Sequence, residues 1–157
     1  MIEPPKIIPL APQFTAVIHL KIPKDQIQHV MGPGLAELIS TVKEQGAGPA
    51  GPWFTHHFKI EDEGWDFEIG VPVSKHIVAA GRVRPGTWPA MTVARTIYQG
   101  GYEGLGEAWG EMMDWLEANG RQPAGDLYEC YLAGPESSPD PADWKTELTR
   151  PLLLKDS

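Results

Sequence analysis

Gly125-Asp-Leu-Tyr-Glu-Cys-Tyr-Leu132 repeats the layout of Gly51-Pro-Trp-Phe-Thr-His-His-Phe58: each is a short strand-like run opened by glycine, at the same distance behind a helix-length segment. Those segments, residues 32–46 and 106–120, are equal in length and both end on glycine. Further along, Glu68-Ile-Gly-Val-Pro72 resembles Glu147-Leu-Thr-Arg-Pro151. Glycine and proline are common punctuation, so each match is weak alone, but their shared order across the chain predicts an internal duplication.

The surrounding segments fill in the repeat unit. Residues 14–20 (FTAVIHL) are rich in β-branched and aromatic residues and stop at Pro23, which predicts a first strand. From Asp25, a plausible cap, Ile27, Val30, Met31, Leu35, Leu38, Ile39 and Val42 recur at helical spacing up to Gly46, with a kink expected at Gly32-Pro33-Gly34. Residues 52–58 and 65–71 then predict a hairpin around the acidic turn 61–63, read as a solvated loop tip. The order returns as a strand at 91–98, a helix at 101–120 with Leu105, Ala108, Trp109, Met112, Met113, Trp115 and Leu116 on its apolar side, and strands at 126–132 and 144–153.

The predicted fold is therefore α+β, a tandem βαββ repeat within one domain, 1–157, with halves 14–72 and 91–153 joined by 73–90. Pseudo-two-fold pairing would give one antiparallel sheet with both helices on one face; the other face, if it curves, would form a central ligand cleft between the halves. Residues 1–12, with their prolines, and the C-terminal end read as loose, and 81–86 as a solvated crossover.

Composition limits the functions available. At 157 residues, 41% hydrophobic and 22% charged, the chain is long enough for a real core and is not disordered by composition. Thirteen Lys and Arg against twenty-one Asp and Glu give a net charge of −8, which disfavours direct nucleic-acid binding and favours cationic ligands. No segment approaches the roughly 20 apolar residues that cross a bilayer, and Glu3 and the prolines near the start do not suit a secretion signal, so no membrane role and a cytoplasmic location are expected. A single cysteine, Cys130, fits a reducing compartment and excludes an internal disulfide. The oligomeric state is left open.

Glu129 is the most informative residue, because it lies in a strand otherwise apolar on both alternating faces. Leu127, Glu129 and Tyr131 share one face, and Tyr128, Cys130 and Leu132 the other. Such a carboxylate can meet a ligand's charge, act as a general base on water, or simply pair with a nearby donor. The repeat aligns it with Thr55, flanked on its own face by Trp53 and His57, so the predicted site is asymmetric. Six tryptophans exceed what packing alone needs, and Trp53, Trp88, Trp109, Tyr98 and Tyr131 are candidate stacking residues for a flat or cationic ring.

Other signals fail on their geometry. His56 and His57 point to opposite faces of a strand and do not chelate one metal together, so neither a metal nor a cofactor is expected. Gly104-Leu-Gly106 lacks the third glycine of a dinucleotide loop, which Trp109 occupies, and Glu103 and Glu107 would repel a pyrophosphate. Cys130, opposite Glu129, reads as a core residue, and the two arginines of residues 81–86 as solvated.

Taken together, Pro85-Gly-Thr-Trp-Pro-Ala-Met91, Tyr98-Gln-Gly-Gly-Tyr-Glu-Gly-Leu105, Trp115-Leu-Glu-Ala-Asn-Gly120, Tyr128-Glu-Cys-Tyr131 and Trp144-Lys-Thr-Glu-Leu-Thr-Arg-Pro151 resemble the GyrI-like family, which also supplies effector-binding domains of AraC-type and multidrug-sensing regulators. The resemblance implies a tandem βαββ fold and makes Glu129 the family's pocket glutamate, meeting a planar aromatic or cationic small molecule on an aromatic floor. With the first strand near Phe14, no helix-turn-helix arm is expected ahead of it. The helix start at 102–109 is similar to a branch that hydrolyses strained cyclopropanoid natural products for self-protection. That likeness implies Glu129 as general base, with Tyr131 or Tyr98 donating to the substrate carbonyl. Non-catalytic sequestration is the competing expectation, and inhibition of DNA gyrase through a surface is a third.

Overall fold

The computed structural model describes residues 2–23, 27–60, 64–133 and 138–153. Its elements run β1 (Lys6–Leu10), β2 (Gln13–Pro23), α1 (Ile27–Glu44), β3 (Phe54–Ile60), β4 (Gly64–Pro72), β5 (Arg84–Trp88), β6 (Met91–Gln99), α2 (Leu105–Ala118), β7 (Leu127–Ala133) and β8 (Lys145–Pro151). The chain divides into two compact units, Ala11–Ala90 and Met1–Leu10 with Met91–Ser157.

Each unit holds one βαββ repeat. In the first, the strands stand in the order β3-β4-β2-β5; in the second, β7-β8-β6-β1, with the described pairings antiparallel. In both, the last strand of the repeat is an inner strand, paired along both of its edges. The core of the first unit joins Ala16, Ile18, Phe67, Ile69 and Val71 of the sheet to Leu38 and Val42 of α1. The second joins Ala94, Tyr98 and Leu148 to Ala108, Met112 and Leu116 of α2. The three α2 residues are spaced four apart, so they form one stripe facing the sheet, while Glu107, Glu111, Asp114 and Glu117 are exposed.

Two strands depart from the sequence expectation. Residues 6–10, read as loose, form β1 and pair with β6 in the second unit. Within the linker 73–90, overlapping residues 81–86 read as a solvated crossover, Arg84–Trp88 form β5 and pair with β2. Both contain proline and end their sheet order, and an edge strand tolerates proline because one side of its backbone needs no ladder partner. Helix α1 continues through Pro33, so the Gly-Pro-Gly insert does not end it. Gly34 is buried there, its Cα so close to Ile69 that an added Cβ would stand 2.9 Å from that side chain. The expected cap Asp25 and the acidic turn 61–63 lie outside the described residues.

Candidate functional site

Cross-strand neighbours share a sheet face. Glu129 stands opposite Leu148 and Tyr131 opposite Thr146, while on the other side of β8 Thr96 and Tyr98 face the same two residues. Leu148 and Tyr98 belong to the core beneath α2, so Glu129 and Tyr131 project from the helix-covered face of their sheet. Alternation along the strand groups these residues on one face, and the pairing identifies it as the face that α2 covers. The opposite face carries Cys130 beside Glu147, and Tyr128 beside Thr149 and Arg95. There the Arg95 Nε donates to Thr149 Oγ1 at 3.0 Å and lies 3.4 Å from Glu147 Oε1.

Glu129 is half-buried and held by two neutral donors. The Trp109 indole Nε1–H donates to Oε2 at 2.7 Å, and the Tyr131 hydroxyl donates to Oε1 at 2.8 Å. Among the described residues no Lys, Arg or His forms an ion pair with it. A carboxylate offers about four acceptor positions, so each oxygen keeps capacity for another partner. Around this pair the aromatic surface extends: the Tyr102 ring meets Tyr131 edge-on at 5.9 Å and tilts over Trp144 at 4.9 Å. The Trp144 indole is fixed by donating to the Ser138 carbonyl at 2.9 Å.

Tyr98 behaves differently from the half-buried Tyr102 and Tyr131. It is buried, and its hydroxyl donates to the Gly101 carbonyl at 2.8 Å. A Cβ on Gly104 would lie 2.0 Å from that hydroxyl, so the glycines of this turn let the backbone close around it just before α2 begins. Burial pushes the Tyr98 phenol pKa up, and Glu103 and Glu107 add to the effect. Tyr98 thereby anchors the turn that starts the helix carrying Trp109, and its proton is engaged with protein.

In the first unit, Thr55 pairs with Ile69 and His57 with Phe67, the positions that match Glu129 with Leu148 and Tyr131 with Thr146. The local chemistry matches too. His57 Nε2 and Thr55 Oγ1 are 3.1 Å apart, as the Tyr131 hydroxyl approaches the residue two before it in the second unit. The His57 ring stacks on Phe67 at 5.2 Å, and Trp53 packs against the core beneath α1. Trp88 shares neither position: its place opposite Gln13 and its contact with Phe54 at 4.8 Å put it on the other face of that sheet. The seven candidate residues thus fall into a network of Trp109, Glu129 and Tyr131, an anchor at Tyr98, and the separately placed Trp53, His57 and Trp88.

Sequence reasoning did not single out Thr146, which is fully buried on β8 between Tyr98 and Tyr131. A threonine in a strand is ordinary by propensity, so no local signal marks it. Tyr102 and Trp144 were visible only as part of the aromatic total. Burial raises the Cys130 thiol pKa to about 12, with Glu147 and Glu129 adding to it against Arg95, which fits the reading of an inert core residue. Among the described residues no helix is long and apolar enough to cross a membrane.

Residues 3–153 match the family of GyrI-like small molecule binding domains. The chain belongs to that family. Among solved structures, this GyrI-like domain is similar to the EcmrR C-terminal domain, with a TM-score of 0.83 and 20% identity over 97% of this chain and 98% of that one. It covers 57% of the EcmrR chain in its complex with DNA. It is also similar to a hydrolase from Listeria innocua, with a TM-score of 0.68 and 15% identity over 95% and 91% of the two chains. SAV2435 bound to tetraphenylphosphonium gives a TM-score of 0.70 and 12% identity over 96% and 94%. At these identities the likenesses establish the shared fold. Comparison with curated proteins finds no match.

Proposed function

We propose that this GyrI-like domain binds a planar aromatic or cationic small molecule at Glu129, as a sequestering or resistance protein. The observation that carries this reading is the carboxylate held by Trp109 and Tyr131 without a protein cation among the described residues. A negative group oriented by neutral donors beside aromatic rings suits a delocalised positive charge, which the ring faces and the acid both attract. Charge distribution supports it. The unit containing Glu129 has thirteen Asp and Glu against six Lys and Arg, or −7, and the other unit eight against seven, or −1. The exposed acids of α2 would draw cations towards this unit. The cationic ligand of SAV2435 is consistent with the same preference.

A second reading is hydrolysis of a strained cyclopropanoid, favoured by the direct contact of the Tyr131 hydroxyl with Glu129. Glu129 would take a proton from water as the water oxygen bonds to the ring carbon. The broken C–C bond's electron pair would move into the conjugated carbonyl, to which the Tyr131 hydroxyl would turn its proton from Glu129. Tryptophan fluorescence quenching across a panel of planar compounds, followed by mass analysis of each bound compound, separates the two. Quenching with the ligand recovered intact supports binding, a product heavier by one water supports hydrolysis, and no quenching by any cation or planar compound contradicts both.

A further inference from the structure

The buried hydroxyl of Thr146 is the polar group that the binding network leaves unused. Thr146 has 0% exposure, and its Oγ1 has no hydrogen-bond partner among the described residues. Buried hydroxyls are normally paired, and one left without a partner marks strain or a partner that arrives from outside. Its position favours the second. Thr146 lies on the same sheet face as Glu129, directly across from Tyr131 on β7 and from Tyr98 on β6. Neither phenol supplies it with a proton, because Tyr98 donates to the Gly101 carbonyl and Tyr131 to Glu129.

We infer that Thr146 Oγ1 reads a hydroxyl or carbonyl oxygen on the ligand, making it a specificity-determining residue for oxygenated aromatic ligands over their plain ring parents. This inference rests on the binding reading above. The oxygen reaches Thr146 through movement of a neighbouring ring. Tyr98 is buried and enclosed by the glycine turn, whereas Tyr131 is half-buried and at the margin of the aromatic surface with Tyr102. Rotation of Tyr131 uncovers Thr146 and at the same time releases one oxygen of Glu129 for the ligand's charge. A single ligand with a cationic ring and an edge oxygen then satisfies both groups.

The test uses 10-methylacridinium and its monohydroxy derivatives, one for each ring position, titrated by fluorescence against the full chain and its Thr146→Val and Thr146→Ser variants. Valine keeps the shape and removes the hydroxyl; serine keeps the hydroxyl. The wild type should bind at least one derivative about ten-fold more tightly than the parent, the strength of one good hydrogen bond. Thr146→Val should abolish that preference while leaving the parent's Kd within about two-fold, and Thr146→Ser should retain it. The inference is overturned if no derivative is preferred, if the preference survives Thr146→Val, or if Thr146→Val weakens parent and derivatives alike. Binding of the parent without any preference overturns the role of Thr146 alone, whereas failure of every compound to bind overturns the cationic-ligand reading with it.

Discussion

Trp109→Phe deletes the indole donor 2.7 Å from Glu129 Oε2 while leaving an aromatic ring over the sheet. A hydrogen bond to a charged acceptor contributes about 1.5–3 kcal/mol, and one to a neutral acceptor about 0.5–1.5 kcal/mol. Glu129 is half-buried, so water replaces part of what is lost and the lower part of the charged range applies, about 1.5 kcal/mol. The smaller ring forfeits about 1 kcal/mol of apolar burial as well. The substitution should therefore cost about 2.5 kcal/mol in the wild type. In a Glu129→Gln background the amide oxygen still accepts but carries no charge, and the same substitution should cost about 1.5 kcal/mol, a coupling of about 1 kcal/mol. Urea unfolding of the four proteins measures this directly, since packing losses are common to both backgrounds and cancel. Additive costs, with coupling below about 0.3 kcal/mol, would show that the indole does not hold the ionised carboxylate in solution.

Three further outcomes follow from the geometry. Gly104→Ala, whose Cβ would meet the Tyr98 hydroxyl at 2.0 Å, should cost about 1–3 kcal/mol by overpacking, and adding Tyr98→Phe should recover part of the loss; additive losses in thermal melts would refute the steric account. Cys130, buried with its thiol pushed to about 12, should resist alkylation at about pH 8 in the native protein and react once unfolded, and rapid native labelling would contradict its burial. Hydrogen bonds and charge from Arg82 hold the exposed Glu37 below its ordinary pKa, so this pair's contribution is present above the unfolded carboxylate pKa and lost as pH falls through the lowered one. NMR titration should show Glu37 shifting back up in Arg82→Gln, and an unchanged midpoint would remove the ion pair.

The repeat was legible because both halves encode it with strong local signals. FTAVIHL has the β-branched composition of a strand and became the core of β2, and the apolar stripe through Ala108, Met112 and Leu116 foretold the buried face of α2. The alternation in β7 placed Leu127, Glu129 and Tyr131 together, and the alignment of Thr55 with Glu129 is reproduced by their matching partners Ile69 and Leu148. β1 and β5 were hidden because Pro9, Pro85 and Gly86 oppose strand propensity, and pairing with β6 and β2 supplies what the residues themselves lack. Alternation also says which residues share a face without saying which face the helix covers. That depends on tertiary packing, and it is why Trp88 was grouped with Trp53 although the two stand on different faces of their sheet. The proton of Tyr98 was likewise beyond reach, since its acceptor is a backbone carbonyl presented by the turn of Gly100, Gly101 and Gly104.

The charge role of Glu129 is tested most directly by titrating 10-methylacridinium and neutral acridine, near pH 8, into the wild type and Glu129→Gln. The two ligands have nearly the same shape and differ in charge, so the comparison removes stacking and leaves electrostatics. At an effective dielectric constant of about 20, a cation within several ångströms of the acid gains up to a few kcal/mol, reduced by solvent at a half-buried site. Glu129→Gln should weaken the acridinium by about ten-fold or more and acridine by less than about two-fold. Equal losses for both ligands, or undiminished acridinium binding in the variant, would contradict a ligand site organised around the carboxylate.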